Sequence, residues 1–192
     1  MPAKKSKPAP PTAIYQLKIT LQGLRPPIWR RVLVADNTTL ELLHYIIQIA
    51  MGWTNSHLHD FTLRGKRYAE PHPDDWEPVL DERDYTLRDV ASRARTKIVY
   101  QYDFGDSWYH DVVVEKTALP VEPKTKYPVC VAGQYACPPE DVGGTWGYVE
   151  FLDALRNPEH EEHDSYLEWI GGEFDPEAFD LDTVNKELRR LR

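Results

Sequence analysis

The pattern of apolar and polar positions divides the first part of the chain into short elements. Residues 13–21 and 28–35 alternate apolar with polar side chains, which predicts the two strands of a hairpin. Apolar residues then recur at three- and four-residue spacing from Leu40 to Met51, which predicts a helix that ends near Gly52. The folded part of the chain is therefore expected to begin with a hairpin and an amphipathic helix.

Strand-like runs continue through the middle of the chain. We predict strands at 58–64, 67–69, 97–102 and 108–116, with a short helical turn at 85–90. The order strand, strand, helix, strand, short strand, short helix, strand is that of a β-grasp sheet. We therefore expect an α+β fold with a β-grasp-like mixed sheet and one packed helix.

The second half of the chain changes character. Residues 118–144 are rich in proline and glycine, which predicts an ordered loop without regular structure. Helical patterns return at about 145–156, 161–170 and 182–191. We thus expect a disordered tail at 1–12 and a single domain over 13–192, in which a sheet part (13–117), the loop (118–144) and a helical part (145–192) follow one another.

Composition narrows the class of protein. The net charge of −8 over 192 residues argues against nucleic acid as the main ligand, because gripping a phosphate backbone needs a concentrated basic surface. No apolar run approaches the roughly 20 residues that span a bilayer, so we expect no membrane association. The start of the chain is charged and rich in proline, without the apolar core of a signal peptide, which favours a cytoplasmic protein.

Two cysteines, Cys130 and Cys137, fit a reducing compartment. Their spacing is neither that of a redox pair nor that of half a zinc knuckle. Two partly buried free thiols in one loop, shared ligation of a metal, and a reversible disulfide all remain open from the sequence.

Histidines and aspartates supply candidate ligands for one divalent metal ion. His57 and His59 would point to the same face of a strand, and His110 would lie beside the turn that carries Asp106. Two or three histidines with one carboxylate form a common first shell for zinc, iron or manganese, so these four residues are the predicted metal site. Alternatively, His59 and His110 are half-buried and bond to Asp106 or Asp103, which would fix the loop.

Two segments rich in turn-forming residues complete the candidate site. One is the turn from Asp103 to Ser107, and the other is the Pro138–Gly144 segment, whose Glu140 and Asp141 are candidate catalytic carboxylates. The first could equally be an elaborate hairpin turn, and the carboxylates of the second could serve only the dipole of the helix that follows. The predicted binding pocket comprises Trp29, Arg31, Trp53, Asp103, Asp106 and Trp108.

Four motifs in order make the chain similar to a known family. They are Pro-Pro-Ile-Trp-Arg-Arg at 26–31, the stretch from Leu40 to Phe61 with Met-Gly-Trp and His-Leu-His-Asp-Phe, Tyr-Asp-Phe-Gly-Asp-Ser-Trp-Tyr-His at 102–110, and Pro-Pro-Glu-Asp-Val-Gly-Gly-Thr-Trp-Gly-Tyr at 138–148. Over about residues 13–190 the chain resembles the plasmid open-reading-frame-three-like family. The resemblance implies an association with mobile elements, since members are also catalogued as insertion-sequence passenger proteins with a resolvase-like label. Many relatives carry Cys at position 142, where this chain has Val.

Two functions follow as expectations. The first is a cytoplasmic binding or accessory module with a polar His/Asp pocket and a protein partner bound through an exposed sheet edge. The second is a metal-dependent hydrolase or nuclease that uses His57, His59, His110 and Asp106, with Glu140 or Asp141 as general base.

Overall fold

The computed structural model describes residues 10–73, 75 and 77–191. The predicted tail at 1–12 falls mostly outside these residues. The strands are β1 (Ile14–Leu21), β2 (Trp29–Ala35), β3 (His59–Leu63), β4 (Lys66–Ala69), β5 (Leu80–Asp81), β6 (Lys97–Tyr102), β7 (Trp108–Leu119) and β8 (Val129–Gln134). The helices are α1 (Leu40–Met51), α2 (Leu87–Val90), α3 (Gly144–Arg156), α4 (His163–Ile170) and α5 (Leu181–Leu188), and one 3-10 turn spans Glu82–Asp84.

All eight strands form one sheet in the order β5-β4-β3-β6-β7-β1-β2-β8. Neighbouring strands are antiparallel except for the pair of β4 and β5 at one edge. The chain is thus an α+β protein, as predicted. The finer β-grasp-like description is not confirmed, because the sheet has eight strands and the neighbouring strands β1 and β7 are antiparallel.

Helix α1 packs on one face of the sheet and supplies much of the core. Thr39 caps its first turn by accepting a hydrogen bond from the Leu42 amide, and Gly52 ends it in the left-handed conformation at φ 97°. The buried side of the helix includes His44 and Gln48 among its apolar residues. Both side chains face the sheet and bond to Tyr100 of β6, so hydrogen-bonding groups lie inside the core.

The prediction of an irregular 118–144 segment needs a correction. Residues Val129–Gln134 form β8, the outer strand beside β2. Prolines at 120, 128 and 138 flank this strand rather than interrupt it, so the composition of the whole segment concealed a short run that pairs well. The predicted sheet part therefore extends beyond residue 117.

None of the helices in the described ranges has both the length and the apolar character required to cross a bilayer.

Candidate functional site

The two turn-rich segments meet in space. The Asp103–Ser107 turn joins β6 to β7, and the Gly143 amide of the Pro138–Gly144 loop donates a hydrogen bond to Asp106 Oδ2 at 3.1 Å. A Cβ at Gly144 would lie 2.6 Å from the Asp106 carbonyl oxygen, and φ of Gly144 is +69°. Glycine is therefore required where the loop docks on the turn.

The loop is anchored on its other sides as well. Trp53 Nε1 donates to the Pro138 carbonyl at 3.0 Å. Glu140 accepts hydrogen bonds from the Thr54 amide at 2.8 Å and from the Tyr102 hydroxyl at 3.0 Å. The carboxylate of Glu140 thus ties the loop to the segment between α1 and β3 and to the end of β6.

A group that we call the carboxylate cluster forms where these segments converge, and it comprises His57, Asp103, Glu140 and Asp141. His57 Nε2 lies 3.0 Å from Asp141 Oδ1, 3.6 Å from Asp103 Oδ2 and 3.9 Å from Glu140 Oε2. One ligand atom each from His57, Asp103 and Asp141 lies within 4.8 Å of the other two. Such spacing suits three ligands around one ion.

The Nε2 atom of His57 is buried and has no hydrogen-bond partner among the described residues. Asp141 Oδ1 lies close enough to it but not in the direction that a hydrogen bond requires, and the oxygens of Asp103 and Glu140 lie farther away. A buried ring nitrogen without a partner, beside three carboxylates, is therefore available to a ligand.

The cluster has more negative charge than its surroundings neutralise. In the part of the chain that the structure describes, no lysine or arginine forms an ion pair with Asp103, Glu140 or Asp141. Two like charges about 5 Å apart repel by roughly 1 to 3 kcal/mol, depending on how far water screens them. Burial raises the pKa of Tyr102, and its bond to Glu140 raises it further, so its phenol stays protonated. A cation would relieve this repulsion.

A cavity of about 510 Å³ opens beside the cluster, and His57 and His59 both line it. His59 Nε2 bonds to Glu82 Oε2 at 2.9 Å, and Glu82 is only 3% exposed. The His59 ring stacks on His44 with 3.5 Å between ring centroids and a 4° interplanar angle. The cavity thus has a histidine–carboxylate pair in its wall.

Behind His59 lies a second group, the closed polar ring, which comprises His44, Gln48, Asn55 and Tyr100. The Tyr100 hydroxyl lies 2.8 Å from His44 Nδ1, and His44 Nε2 lies 2.7 Å from Asn55 Oδ1. Gln48 Nε2 donates to the Tyr100 hydroxyl and Gln48 Oε1 accepts from the Asn55 amide. Burial, together with the neighbouring His59, lowers the pKa of His44 to about 3, so the imidazole of His44 is neutral.

His110 lies deeper still. It is fully buried, with its ring edge-on to Trp53 at 5.2 Å and 5.4 Å from Tyr100. Neither ring nitrogen has a hydrogen-bond partner among the described residues. Burial lowers the pKa of His110 to about 3, so this imidazole is a neutral part of the core.

Comparison with known proteins shows which family the chain belongs to. Residues 13–183 match the sequence profile of the family described as plasmid pRiA4b ORF-3-like protein. The chain belongs to this family.

Two relatives show how widely the ORF-3-like family is spread. The uncharacterized protein y4hQ of Sinorhizobium fredii is 39% identical over 181 residues, which cover 93% of this chain and 92% of that protein. The crystal structure of a protein of unknown function, MM3350 from Methanosarcina mazei Go1, superposes with a TM-score of 0.79 at 39% identity. It covers 88% of this chain and 96% of the Methanosarcina chain, so the fold described here is a solved one.

In this ORF-3-like protein the four predicted metal ligands do not meet. Only His57 belongs to the carboxylate cluster, whereas Asp106 accepts from the Gly143 amide and His59 bonds to Glu82. His110 lies on β7, β6 separates it from β3, and the strand registers offset it from His59 by two residues, so the backbones of the two histidines are about 12 Å apart. Strand alternation placed His59 and His110 on the same face of the sheet, but the position of the predicted strand 97–102 between their two strands could not be inferred from the sequence.

The predicted pocket residues also divide. Asp103 joins the cluster, and Trp53 and Trp108 lie buried beneath it. Trp29 and Arg31 lie on the opposite face of the sheet, where the Arg31 guanidinium stacks over Trp29 and pairs with Glu115 at 2.7 Å. Of the two candidate catalytic carboxylates, Asp141 joins the three-residue group and Glu140 anchors the loop.

Several site residues were missed by reading the sequence. His44 and Gln48 were hidden in the apolar stripe of α1, although two polar residues four positions apart on a buried face do signal an internal network. Glu82 lies in the acid-rich 71–84 segment, which gave no sign that one of its carboxylates is buried. Tyr102 and Asn55 carried no distinguishing pattern.

The cysteines remain free thiols. Cys130 is buried and Cys137 is half-buried, and the two form no disulfide. Burial raises the pKa of both thiols, and so keeps them protonated and poorly nucleophilic.

Proposed function

We propose that this protein is a metal-dependent hydrolase that binds one divalent cation through His57, Asp103 and Asp141. The observation that carries the proposal is the convergence of these three ligand atoms within 4.8 Å of one another. One of the three residues, His57, also lines the polar cavity. Three protein ligands with a position left open for water or substrate are typical of catalytic metal sites. The surplus negative charge of the cluster supports the same conclusion.

The ligand chemistry indicates the class of metal. One imidazole nitrogen and two carboxylate oxygens suit Mn²⁺, Fe²⁺ or Zn²⁺, while purely carboxylate sites favour Mg²⁺ or Ca²⁺. Glu140 Oε2 lies 3.9 Å from His57 Nε2 and 3.2 Å from the Tyr102 hydroxyl, so this oxygen is close to the proposed ion while Tyr102 holds it in place. A bound cation of this kind lowers the pKa of its water and polarises a substrate carbonyl or phosphoryl oxygen.

Calorimetric titration with Mn²⁺ and Zn²⁺ tests the proposal. We expect the natural protein to bind one ion, and Asp103→Asn to weaken binding by at least about tenfold. The substitution keeps an oxygen that can accept the Gly105 amide, and Asn tolerates the φ of 54° at this position, so the turn should survive.

Asp106→Asn is the matched control. Asp106 belongs to the same turn and was a predicted ligand, but its Oδ2 bonds to the loop amide of Gly143. Binding should therefore be nearly unchanged in Asp106→Asn. Equal loss of affinity in both variants, or no ion bound by the natural protein, would refute the proposed site.

A binding or accessory role is the second candidate, and one observation favours it. Trp146 at the start of α3 is 87% exposed, and it lines a shallow depression together with the half-exposed Tyr109. A sheet edge has less support as the partner site, because the Asn185 amide pairs with the backbone of Cys130 on β8. At the opposite edge β5 has only two residues. The association with mobile elements stays a prediction.

A further inference from the structure

We propose that His59 is the proton-accepting group of the cavity and that Glu82 fixes its tautomer. This inference rests on the proposed function for its reaction, since it assigns the base of the same hydrolytic site. The geometry of His59 and Glu82 does not depend on the proposed function, because neither residue belongs to the carboxylate cluster.

The partner of His59 determines which of its nitrogens is free. An ionised carboxylate only accepts hydrogen bonds, so Glu82 Oε2 at 2.9 Å accepts a hydrogen bond from His59 Nε2–H. In the neutral imidazole, Nδ1 then carries the lone pair. Nδ1 makes no hydrogen bond with the described residues, and it is not a buried atom. Solvent therefore reaches it.

The ring itself is held in place on several sides. It stacks on His44 at 3.5 Å, and Phe61 lies edge-on to it at 6.0 Å. His44 cannot turn, because both of its nitrogens are engaged by Tyr100 and Asn55. An imidazole with a fixed tautomer and a fixed ring plane, open at one nitrogen, has the form of a preorganised general base.

The lining of the cavity indicates the substrate class. Glu41, Glu70 and Glu82 make the wall acidic, and its single arginine, Arg83, is engaged with Asp81 through two hydrogen bonds. This charge disfavours phosphodiesters and other anions. The apolar side chain of Leu58, 72% exposed, also lines the cavity. We therefore assign an uncharged or cationic ester or amide.

Hydrolysis of such an ester or amide can proceed with His59 as the group that accepts and returns the proton. A water oxygen attacks the carbonyl carbon while its proton passes to His59 Nδ1, and the carbonyl π electrons move to the carbonyl oxygen. When the intermediate collapses, the bond to the alcohol or amine breaks, and the leaving group takes the proton from Nδ1. The products are a carboxylic acid and an alcohol or amine, with His59 restored.

The rate of acylation by diethyl pyrocarbonate measures how accessible and reactive Nδ1 of His59 is, and it requires no substrate. Nδ1 attacks a carbonyl carbon of the reagent, an N–C bond forms as a C–O bond breaks, ethyl carbonate leaves, and the Nε2 proton is released. Peptide mass mapping at neutral pH should show His59 acylated faster than N-acetylhistidine. Glu82→Gln should lower that rate by about tenfold and Glu82→Asp should restore part of it, with His160 as the unchanged internal control.

Two outcomes would overturn the assignment. One is acylation of His59 in the natural protein no faster than that of His160, a result that needs no variant to fold. The other is an equal rate in the natural protein and in folded Glu82→Gln.

Turnover of model substrates separates this inference from the proposed metal site. We expect Mn²⁺-loaded protein to hydrolyse p-nitrophenyl acetate faster than bis(p-nitrophenyl) phosphate, and His59→Asn to lose ester hydrolysis by about a hundredfold with Mn²⁺ affinity retained. Preference for the phosphodiester would overturn the substrate class. Absence of Mn²⁺ binding together with rapid acylation of His59 would refute the metal site and leave the pair of His59 and Glu82 standing.

Discussion

The closed polar ring and the carboxylate cluster lie side by side, yet their hydrogen-bonding balance is opposite. In the ring, Gln48 and Asn55 complete a circle through His44 and Tyr100, so donors and acceptors match. In the cluster, carboxylates surround one imidazole nitrogen that bonds to none of them. The hydrogen bonds of the ring are therefore complete within it, whereas those of the cluster are not, and we propose that a cation completes the cluster.

This difference separates a structural group of polar residues from a functional one. Buried polar groups that pair fully stabilise and rigidify a fold, and they offer nothing to a ligand. A group with surplus acceptors stores repulsion, which only a ligand or a proton relieves. The presence of histidine does not distinguish the two, since both contain it.

Acid should affect the buried histidines most strongly. His44 and His110 have pKa values lowered to about 3 in the folded protein, against about 6.5 when unfolded. Below pH 6.5 the unfolded chain binds protons that the folded one does not, so stability is fully present above pH 6.5 and falls as the pH falls toward 3. Between pH 6.5 and 4.5 the two residues together should cost about 5 kcal/mol of unfolding free energy, measured by urea denaturation.

His110→Leu sharpens this test. It removes a buried imidazole without hydrogen-bond partners, so it should fold at neutral pH and reduce the dependence of stability on pH by about half. An unchanged slope would show that His110 is protonated in the folded protein.

Breaking the hydrogen bonds of the closed polar ring should have the next largest effect on stability. Tyr100→Phe removes the hydroxyl that bonds to both His44 and Gln48, and so leaves two buried groups unpaired. We expect a loss of about 2 to 4 kcal/mol in unfolding free energy by urea denaturation, with Mn²⁺ affinity retained. A loss of metal binding at temperatures where the variant stays folded would contradict the separation of ring and cluster.

Displacing the Pro138–Gly144 loop should change the geometry of the carboxylate cluster and leave the closed polar ring unchanged. A Cβ at Gly147 would overlap the Val142 carbonyl oxygen, so Gly147→Ala must displace the loop that carries Asp141. We expect a loss of about 1 to 3 kcal/mol in thermal or chemical unfolding, although alanine ordinarily favours a helix. Mn²⁺ affinity should fall as well. Val149→Ala, an exposed position on the same helix, is the control and should change neither quantity.

The smallest effect on stability is expected for Asp141→Asn. The Asp141 side chain is 68% exposed, so water screens its repulsion from the other carboxylates and also its contact with His57. The unfolding free energy of the protein should therefore change by less than about 0.5 kcal/mol. Mn²⁺ affinity measured by calorimetry should nevertheless fall by at least about tenfold, because one of three ligands is lost. Unchanged affinity would remove Asp141 from the site.

The local elements were predictable because they depend on periodicity. Alternation located β1, β2, β6 and β7, and the spacing of apolar residues located α1. The turn at Asp103–Ser107 and the Pro138–Gly144 loop were recognised as special from their glycines and carboxylates, and the structure brings them together.

The grouping of the histidines was not predictable, since it depends on strand order. The pairing of β6 with both β3 and β7 sends His59 and His110 to different surroundings. Glu82 reaches His59 from a distant segment, and no local pattern announces a contact of that range. Periodicity thus fixes which way a side chain faces, whereas its partners follow from pairings between remote parts of the chain.

Anomalous diffraction from crystals soaked in Mn²⁺ tests the central claim most directly. We predict one strong peak bonded to His57 Nε2 and to carboxylate oxygens of Asp103 and Asp141, at about 2.0 to 2.2 Å, and no peak beside His59 or in the closed polar ring. A cluster without a peak at saturating Mn²⁺, or a peak that lacks Asp103 as a ligand, would contradict it.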